Sequence, residues 1–392
     1  LEVTYDQIMS AELLYKDSRM NAGKVLFGKR SVPPSIFDGA TSYGMVSNRV
    51  VILGEIEKIN IDQWRWFLKE HERKKQESML HQQLPAQDIK NITASSGQNF
   101  FDLDFVQSIH LKVEEFIFDK QSWFNVDFNA QHQKDWNVSI KNSDVDARVL
   151  FPEAWETEGI TIDIDRYQLA KNPFINEEAA KQAASLSAAD TPPLQEKPIH
   201  RVNPNTWMPF TLTLHHLHVD GKDWGKSTFK AEKQKDGFLF NQMELNLGAV
   251  HLKGNLSWRW NDGAPTTYFV GDVIGKDLGA IQKQWGYTPT IESESMKLET
   301  DLYWVGSPID FKLSRGDGRA NVFIQKGQLL DVDSTASSVK VIGLLNFKTL
   351  LRRMQLDFRD LYKKGISYDD ISGRLLFRDG AIITEDIKMD GP

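Results

Sequence analysis

Along most of this chain apolar and polar residues alternate with a period of two, and each such run predicts a strand with one oily and one wet face. Between Leu239 and Leu247, Leu239, Met243, Leu245 and Leu247 fall on one side, with Gln242, Glu244 and Asn246 on the other. Val250, Leu252, Leu256 and Trp258 alternate with His251, Lys253, Asn255 and Ser257, and Met296, Leu298, Leu302 and Trp304 with Lys297, Glu299 and Asp301. Leu212 and Leu214 join the oily set upstream; Ile309, Phe311 and Leu313 continue it, as do Ala320, Val322 and Ile324. In the N-terminal half the same pattern runs through Ile109, Leu111 and Val113, then Trp136, Val138 and Ile140, then Val145, Ala147 and Val149.

Turn residues punctuate the runs at Asp220-Gly221, Asp236-Gly237, Asp262-Gly263, Gly306-Ser307-Pro308, Lys326-Gly327 and Asp379-Gly380. Close spacing of strands and turns predicts a mostly β protein built as an antiparallel meander. Helices are expected only at 61–75, within Lys276–Trp285, and at 342–354. The stretch Asn172–Pro198, rich in Ala, Ser, Glu and Pro, interrupts the rhythm and reads as a polar insert or linker between a first β segment, 1–171, and a second, 199–392.

A one-sided sheet must cover its oily face, and scarce helices cannot do so along most of the chain. Two solutions stay open: a closed β-sandwich whose core touches only itself, or a long curved sheet forming an open hydrophobic groove covered by something other than protein. Alternation is identical in both.

Composition narrows the function classes. A formal net charge of −7 over 392 residues argues against a general nucleic-acid binder. With Cys at 0, disulfides, thiol nucleophiles and Cys-ligated zinc are excluded. No apolar run reaches the ~18 residues a membrane-spanning helix needs, and the start at Leu1-Glu2-Val3 reads as a piece of a longer protein. Among candidate chemistry, His216 and His218 in the run His215-His216-Leu217-His218 would share a strand face, as a metal pair or as plain polar surface. Glu292 and Glu294 form a same-face acid pair that surface solvation explains as well. Gly316-Asp317-Gly318 reads as a turn and not a phosphate cradle, and no nucleophile elbow is present. The reading is non-enzymatic, with no catalytic residues, metal or cofactor expected.

The segment Ile342–Met354 is more informative. At helical phase Leu344, Phe347, Leu350, Leu351 and Met354 form one face, with Lys348 and Arg353 away from it and Arg352 at its flank. Lys340–Lys364 carries seven basic residues (Lys340, Lys348, Arg352, Arg353, Arg359, Lys363, Lys364) against Asp357 and Asp360. A basic amphipathic helix suits a groove plug, a contact with anionic headgroups at a membrane, or an ordinary cap on a sheet end.

Residues 318–392 resemble the C-terminal region of the YhdP branch of the AsmA-like (TamB-related) proteins of Gram-negative bacteria. The resemblance rests on Gln325-Lys326-Gly327, Gly343-Leu344-Leu345, Leu350-Leu351-Arg352-Arg353, Leu356-Asp357-Phe358-Arg359-Asp360, Lys364 to Asp369, Ile371-Ser372-Gly373 and the closing Met389-Asp390-Gly391-Pro392. Weaker similarity extends through Leu53-Gly54 to Trp64, Gly254 to Trp258, Phe269-Val270-Gly271, Asp277-Leu278-Gly279 and Leu302-Tyr303-Trp304. Ser338-Val339-Lys340 and the Asn172–Pro198 insert depart from the pattern. The resemblance implies a periplasmic fragment anchored to the inner membrane by a segment not contained in this sequence, with a β-groove that moves phospholipid between inner and outer membranes and supports the outer-membrane barrier. Phospholipid, both membranes and envelope proteins are the implied partners. On that implication the oily set becomes the groove lining, and Lys348, Arg352 and Arg353 contact headgroups.

Overall fold

A computed structural model of the chain describes residues 2–5, 9–16, 19–28, 49–60, 106–118, 121–170, 202–261, 263–284, 289–311, 315–330, 366–378, 381–384 and 386–391. The protein is mostly β, and among the described residues its strands form open, unclosed sheet. The expected segments 61–75, 172–198 and 342–354, and Leu313, lie outside the described residues. Among the described residues no helix is long and apolar enough to cross a membrane.

The chain divides into two compact units, Leu1–Ala154 and Trp155–Pro392. The division precedes the Asn172–Pro198 segment, so the strands on either side of that segment belong to one unit. The first unit contains β1 (Glu2–Tyr5), β2 (Met9–Lys16), β3 (Arg19–Phe27), β4 (Arg49–Asn60), β5 (Val106–Phe118), β6 (Gln121–His132), β7 (Trp136–Lys141) and β8 (Val145–Phe151). Its apolar cluster is Leu111, Val113, Phe116 and Val126, with Ile52, Ile56, Phe128 and Ile140 packed against it.

The second unit begins with a single helical turn, α1 (Trp155–Glu158), followed by β9 (Ile160–Leu169), β10 (Phe210–Val219), the two-residue β11 (Lys222–Asp223), β12 (Ser227–Gln234), β13 (Gly237–Leu247), β14 (Val250–Asn261) and β15 (Ala264–Gly275). Helix α2 (Leu278–Gln284) precedes β16 (Ile291–Val305), β17 (Asp317–Leu329), β18 (Ile366–Arg378), β19 (Ala381–Thr384) and β20 (Lys388–Asp390). From β12 to β18 the strands form the expected antiparallel meander.

Three pairs break that expectation: β3–β4, β4–β5 and β9–β10 are parallel. A parallel pair requires the chain to travel back along the strand before pairing, which takes a dozen or more residues. The intervals 28–48, 61–105 and 170–209 are each long enough for that return. A second correction concerns Ile309 and Phe311, expected together with Leu313 as a strand. Pro308–Asp310 is instead a 3-10 turn, because Pro308 lacks a donor and Asp310 Oδ2 accepts from the Ser307 amide (2.8 Å) and hydroxyl (2.6 Å). Ile309 is consequently 81% exposed.

Lys326-Gly327, read as a turn, lies inside β17, where Lys326 adopts a left-handed φ of 44°. Gly327 is required there: a Cβ would meet the Glu292 carbonyl oxygen at 1.9 Å and the Tyr368 hydroxyl at 2.4 Å. The buried Tyr368 hydroxyl donates to that same carbonyl at 2.6 Å. Burial, with Asp277 adding its charge, pushes the phenol from 10.0 up to about 12. The unfolded phenol ionises first, so stability is expected to hold up to about pH 10 and to fall as pH climbs toward 12. Tyr368→Phe should cost about 1 kcal/mol at neutral pH and remove that alkaline loss, measured by denaturant unfolding across pH.

Candidate functional site

Directly paired residues on neighbouring strands point to the same side of a sheet, so register fixes which side chains share a face. In the second unit one row runs Phe210, Ala231, Phe240, Leu256, Phe269, Leu302, Gly318 and Phe377. Another runs Leu245, Leu252, Val273, Leu298 and Val322, and a third Leu247, Val250, Gly275, Met296, Ile324 and Ile371. Parallel pairing adds Ile160, Ile162 and Ile164 beside Phe210, Leu212 and Leu214. A single apolar face therefore crosses the unit from β9 to β18, and the register places on it Leu212, Leu214, Met243, Leu245, Leu247, Val250, Leu252, Leu256, Trp258, Met296, Leu298, Leu302, Ala320, Val322 and Ile324.

Leu239 is the correction. It pairs with Ser257, and its neighbours Phe238 and Phe240 pair with Trp258 and Leu256. A bulge at Gln242, held at φ 49°, shifts the register between Phe240 and Met243 and reverses the alternation. Leu239 thus faces away from Met243, Leu245 and Leu247, while Phe238 and Phe240 take its place. Phe269 and Val273 were missed for another reason: on β15 Tyr268, Val270 and Ile274 make the opposite face apolar too, so no alternation marks the strand. Of Ile309 and Phe311, the latter packs edge-on against Trp304 with ring centroids 5.0 Å apart.

Two pieces close over the ends of this face. Helix α2 is started by Asp277 Oδ1, which accepts from Gly279 N at 2.9 Å, and by Ser293 Oγ, which accepts from Leu278 N at 3.0 Å. At its end the Gln284 amide accepts from Ala249 N (2.7 Å) and donates to the Leu247 carbonyl (2.6 Å), stitching the helix to the β13–β14 turn. Ile281 then packs with Val250, Ile291, Met296 and Ile324. At the opposite end Trp207, on the turn Pro204–Thr206, meets Trp258 edge-on at 5.6 Å. Between them Leu245, Leu252, Val273 and Leu298 are only half-buried. The apolar clusters draw on neighbouring strands, α2 and the adjoining Ala249 and Ile387; among the described residues none joins this face to a second sheet.

The reverse face carries charged pairs beside the exposed Tyr268, Val270, Ile274, Tyr303 and Phe323. Lys253 pairs with Glu244 (2.8 Å), Arg319 with Asp301 (3.1 Å), and Lys297 with Glu299 (2.9 Å) and Asp272 (3.3 Å). The hydrogen bond from Lys297 holds the Glu299 carboxyl below its ordinary range, and that from Lys253 does the same for Glu244. Exposed pairs of this kind contribute little stability but keep the face hydrated.

The other candidates find ordinary partners. His216 Nδ1 lies 2.8 Å from Asp223 Oδ2, a contact that lowers the Asp223 carboxyl, and His215 Nε2 lies 3.3 Å from Asp163. No three acidic or imidazole groups among the described residues are placed to hold a metal. Glu292 and Glu294 are exposed, with Glu294 3.8 Å from Lys326. Gly318 lies in β17 rather than in a turn. Leu344, Phe347, Lys348, Leu350, Leu351, Arg352, Arg353 and Met354 fall outside the described residues.

Comparison with known proteins gives the site its context. The family profile described as YhdP protein matches residues 37–392. The chain is also similar, at 22% identity over 218 residues, to the intermembrane phospholipid transporter YhdP of Escherichia coli (strain K12); the match takes in 56% of this chain and 17% of that relative's length. No solved structure matches the chain.

Proposed function

We propose, from the premise that this chain belongs to the YhdP family, that the apolar face of its Trp155–Pro392 unit is a groove along which phospholipid acyl chains move between the inner and outer membranes. One observation carries the reading: an apolar face from β9 to β18 over which no second layer of sheet lies among the described residues. Burying hydrocarbon is worth about 0.8 kcal/mol per methylene, which favours occupancy by acyl chains over open exposure to water. The lining consists of aliphatic and aromatic side chains repeated row after row, so contacts are interchangeable and no single position traps the cargo. Headgroups stay in water along the open side.

The name borne by the relative agrees with this reading. Transport of this kind needs no covalent chemistry, and the role is non-enzymatic, in support of the outer-membrane permeability barrier. The setting is the periplasm, with attachment to the inner membrane through a segment outside this sequence and envelope proteins meeting its ends. On the spacing of the basic segment 342–354, Leu344, Phe347, Leu350, Leu351 and Met354 are assigned to hydrocarbon, and Lys348, Arg352 and Arg353 to headgroups.

Native mass spectrometry of the chain purified from membranes tests the proposal. Adducts with the mass of phospholipid are expected. A clean apo mass, with no phospholipid gained on incubation with vesicles of mixed phosphatidylethanolamine and phosphatidylglycerol, would favour a scaffold and overturn the conduit.

A further inference from the structure

The apolar face carries two indoles in one cross-strand row, Trp258 and Trp304, separated by Thr267. Their surroundings are alike: Trp258 is 3% exposed, Thr267 0% and Trp304 4%. Two of the three polar groups are satisfied. Trp304 Nε1 donates to the Ser307 carbonyl at 2.9 Å, and Thr267 Oγ1 donates to the Gly306 carbonyl at 2.8 Å. Trp258 Nε1, shut off from solvent, has no hydrogen-bond partner among the described residues. A buried donor left unpaired is uncommon, because it loses its water without regaining a bond.

Beside Thr267, the residues clustered with that indole are apolar. Met243, Leu256, Phe269 and Trp304 cluster with it, and Phe229, Phe240, Leu245, Leu252 and Val273 pack against the cluster. The ring of Trp207, which is 44% exposed, lies edge-on against Trp258, so its displacement uncovers the indole. A ligand suited to this place is apolar over most of its length and carries one acceptor within the apolar part. A plain hydrocarbon leaves the indole N–H unpaired. A carboxylate or phosphate would bring a charge into surroundings that strip its water. A neutral acyl carbonyl meets both demands.

The geometry points to Trp258 as the hydrogen-bond donor to the ester carbonyl of a diacyl glycerolipid, making the Trp207–Trp258 end of the face a site that reads the ester linkage. This rests on the lipid-conduit reading and adds to it a preference that acyl-chain burial alone would not create. Trp258 is then a place where a moving lipid pauses in register, its glycerol backbone at the rim and its chains along Leu256 and Phe269.

The test is calorimetric titration of this chain with dihexanoyl phosphatidylcholine, with its ether-linked dihexyl counterpart, and with decanoate. The two lipids share headgroup and chain length, and differ in that the first has a carbonyl where the second has a methylene. Wild type should bind the ester lipid about three- to tenfold more tightly than the ether lipid, the range of one hydrogen bond. Trp258→Phe should bind the ester and ether lipids with equal affinity, whatever its affinity for the ether lipid. The indole N–H resonance missing from the Trp258→Phe spectrum should shift downfield with ester lipid and not with ether lipid, which keeps the test independent of how that variant folds. Equal wild-type affinities, a preference that survives in Trp258→Phe, or tighter binding of decanoate would each overturn the assignment while leaving the conduit standing. Binding of none of the probes would overturn both.

Discussion

Replacing Leu245 with aspartate is expected to abolish retention of phospholipid by this chain while leaving it folded. Leu245 sits on the apolar face beside Leu252, half-buried and part of the stretch that neither α2 nor Trp207 covers. A carboxylate there can take water from the open side, so the folded state loses about 1 kcal/mol at most, as partly exposed substitutions usually do. An acyl chain laid over the same spot would have to strip that water, a cost of several kcal/mol against about 0.8 kcal/mol gained per methylene. The partner experiment is Val322→Asp. Val322 is 2% exposed, packed between Leu298 and Gly373 on neighbouring strands. A carboxylate there is buried without a counter-charge, a loss of about 3–5 kcal/mol, enough to remove the cooperative melting transition. Circular dichroism melts and lipid adducts by native mass spectrometry separate the two outcomes. A folded Leu245→Asp chain that keeps its lipid would show that the oily face is not where the cargo lies.

Gly318→Val is the second large effect. Gly318 occupies the row between Leu302 and Phe377 with φ 128°, a conformation that L side chains rarely adopt. A Cβ added there would stand 2.2 Å from the Asp301 carbonyl oxygen and 3.1 Å from Leu302 Cα, so backbone rather than a pliable side chain would have to move. Strain of this kind costs about 1–3 kcal/mol before the clash is counted, and the β16–β17 pairing should be lost with it. Hydrogen exchange should show protection vanishing from Asp317 to Leu329 while β5 and β6 of the first unit remain protected. Uniform protection across β17 in the variant would mean that the strand pair tolerates a side chain at this position.

Much of the second unit was legible because burial imposes period two on any strand with one covered face. Leu252, Leu256 and Trp258, or Met296, Leu298 and Leu302, announce their face wherever the backbone stays regular. The reading failed at single residues in the left-handed region. Gln242 and Lys326 each reverse the alternation, so Leu239 turns outward and Ile324 and Leu329 are buried alike despite opposite parity. Neither Gln242 nor Lys326 is itself a residue type that favours a positive φ, and the Lys326-Gly327 signal reads as a turn between strands although it lies inside one. Ile309 and Phe311 misled for the converse reason: spacing fits a strand, but Pro308 and the Asp310 carboxylate fold those residues into a turn.

The sequence by itself determined that this is a chain of one-sided strands, without thiol chemistry or a recognisable catalytic motif, and which side chains along most strands are oily. That much follows from local periodicity and composition, which are properties of neighbours along the chain. Only the tertiary structure decided the pairing within each unit, and that among the described residues three pairs run parallel. It also decided that α2 and Trp207 cover the ends of the oily face, and that of two indoles in one row only Trp304 finds an acceptor. Each of these depends on residues brought together from distant positions, where alternation is the same whether the facing layer is present or absent.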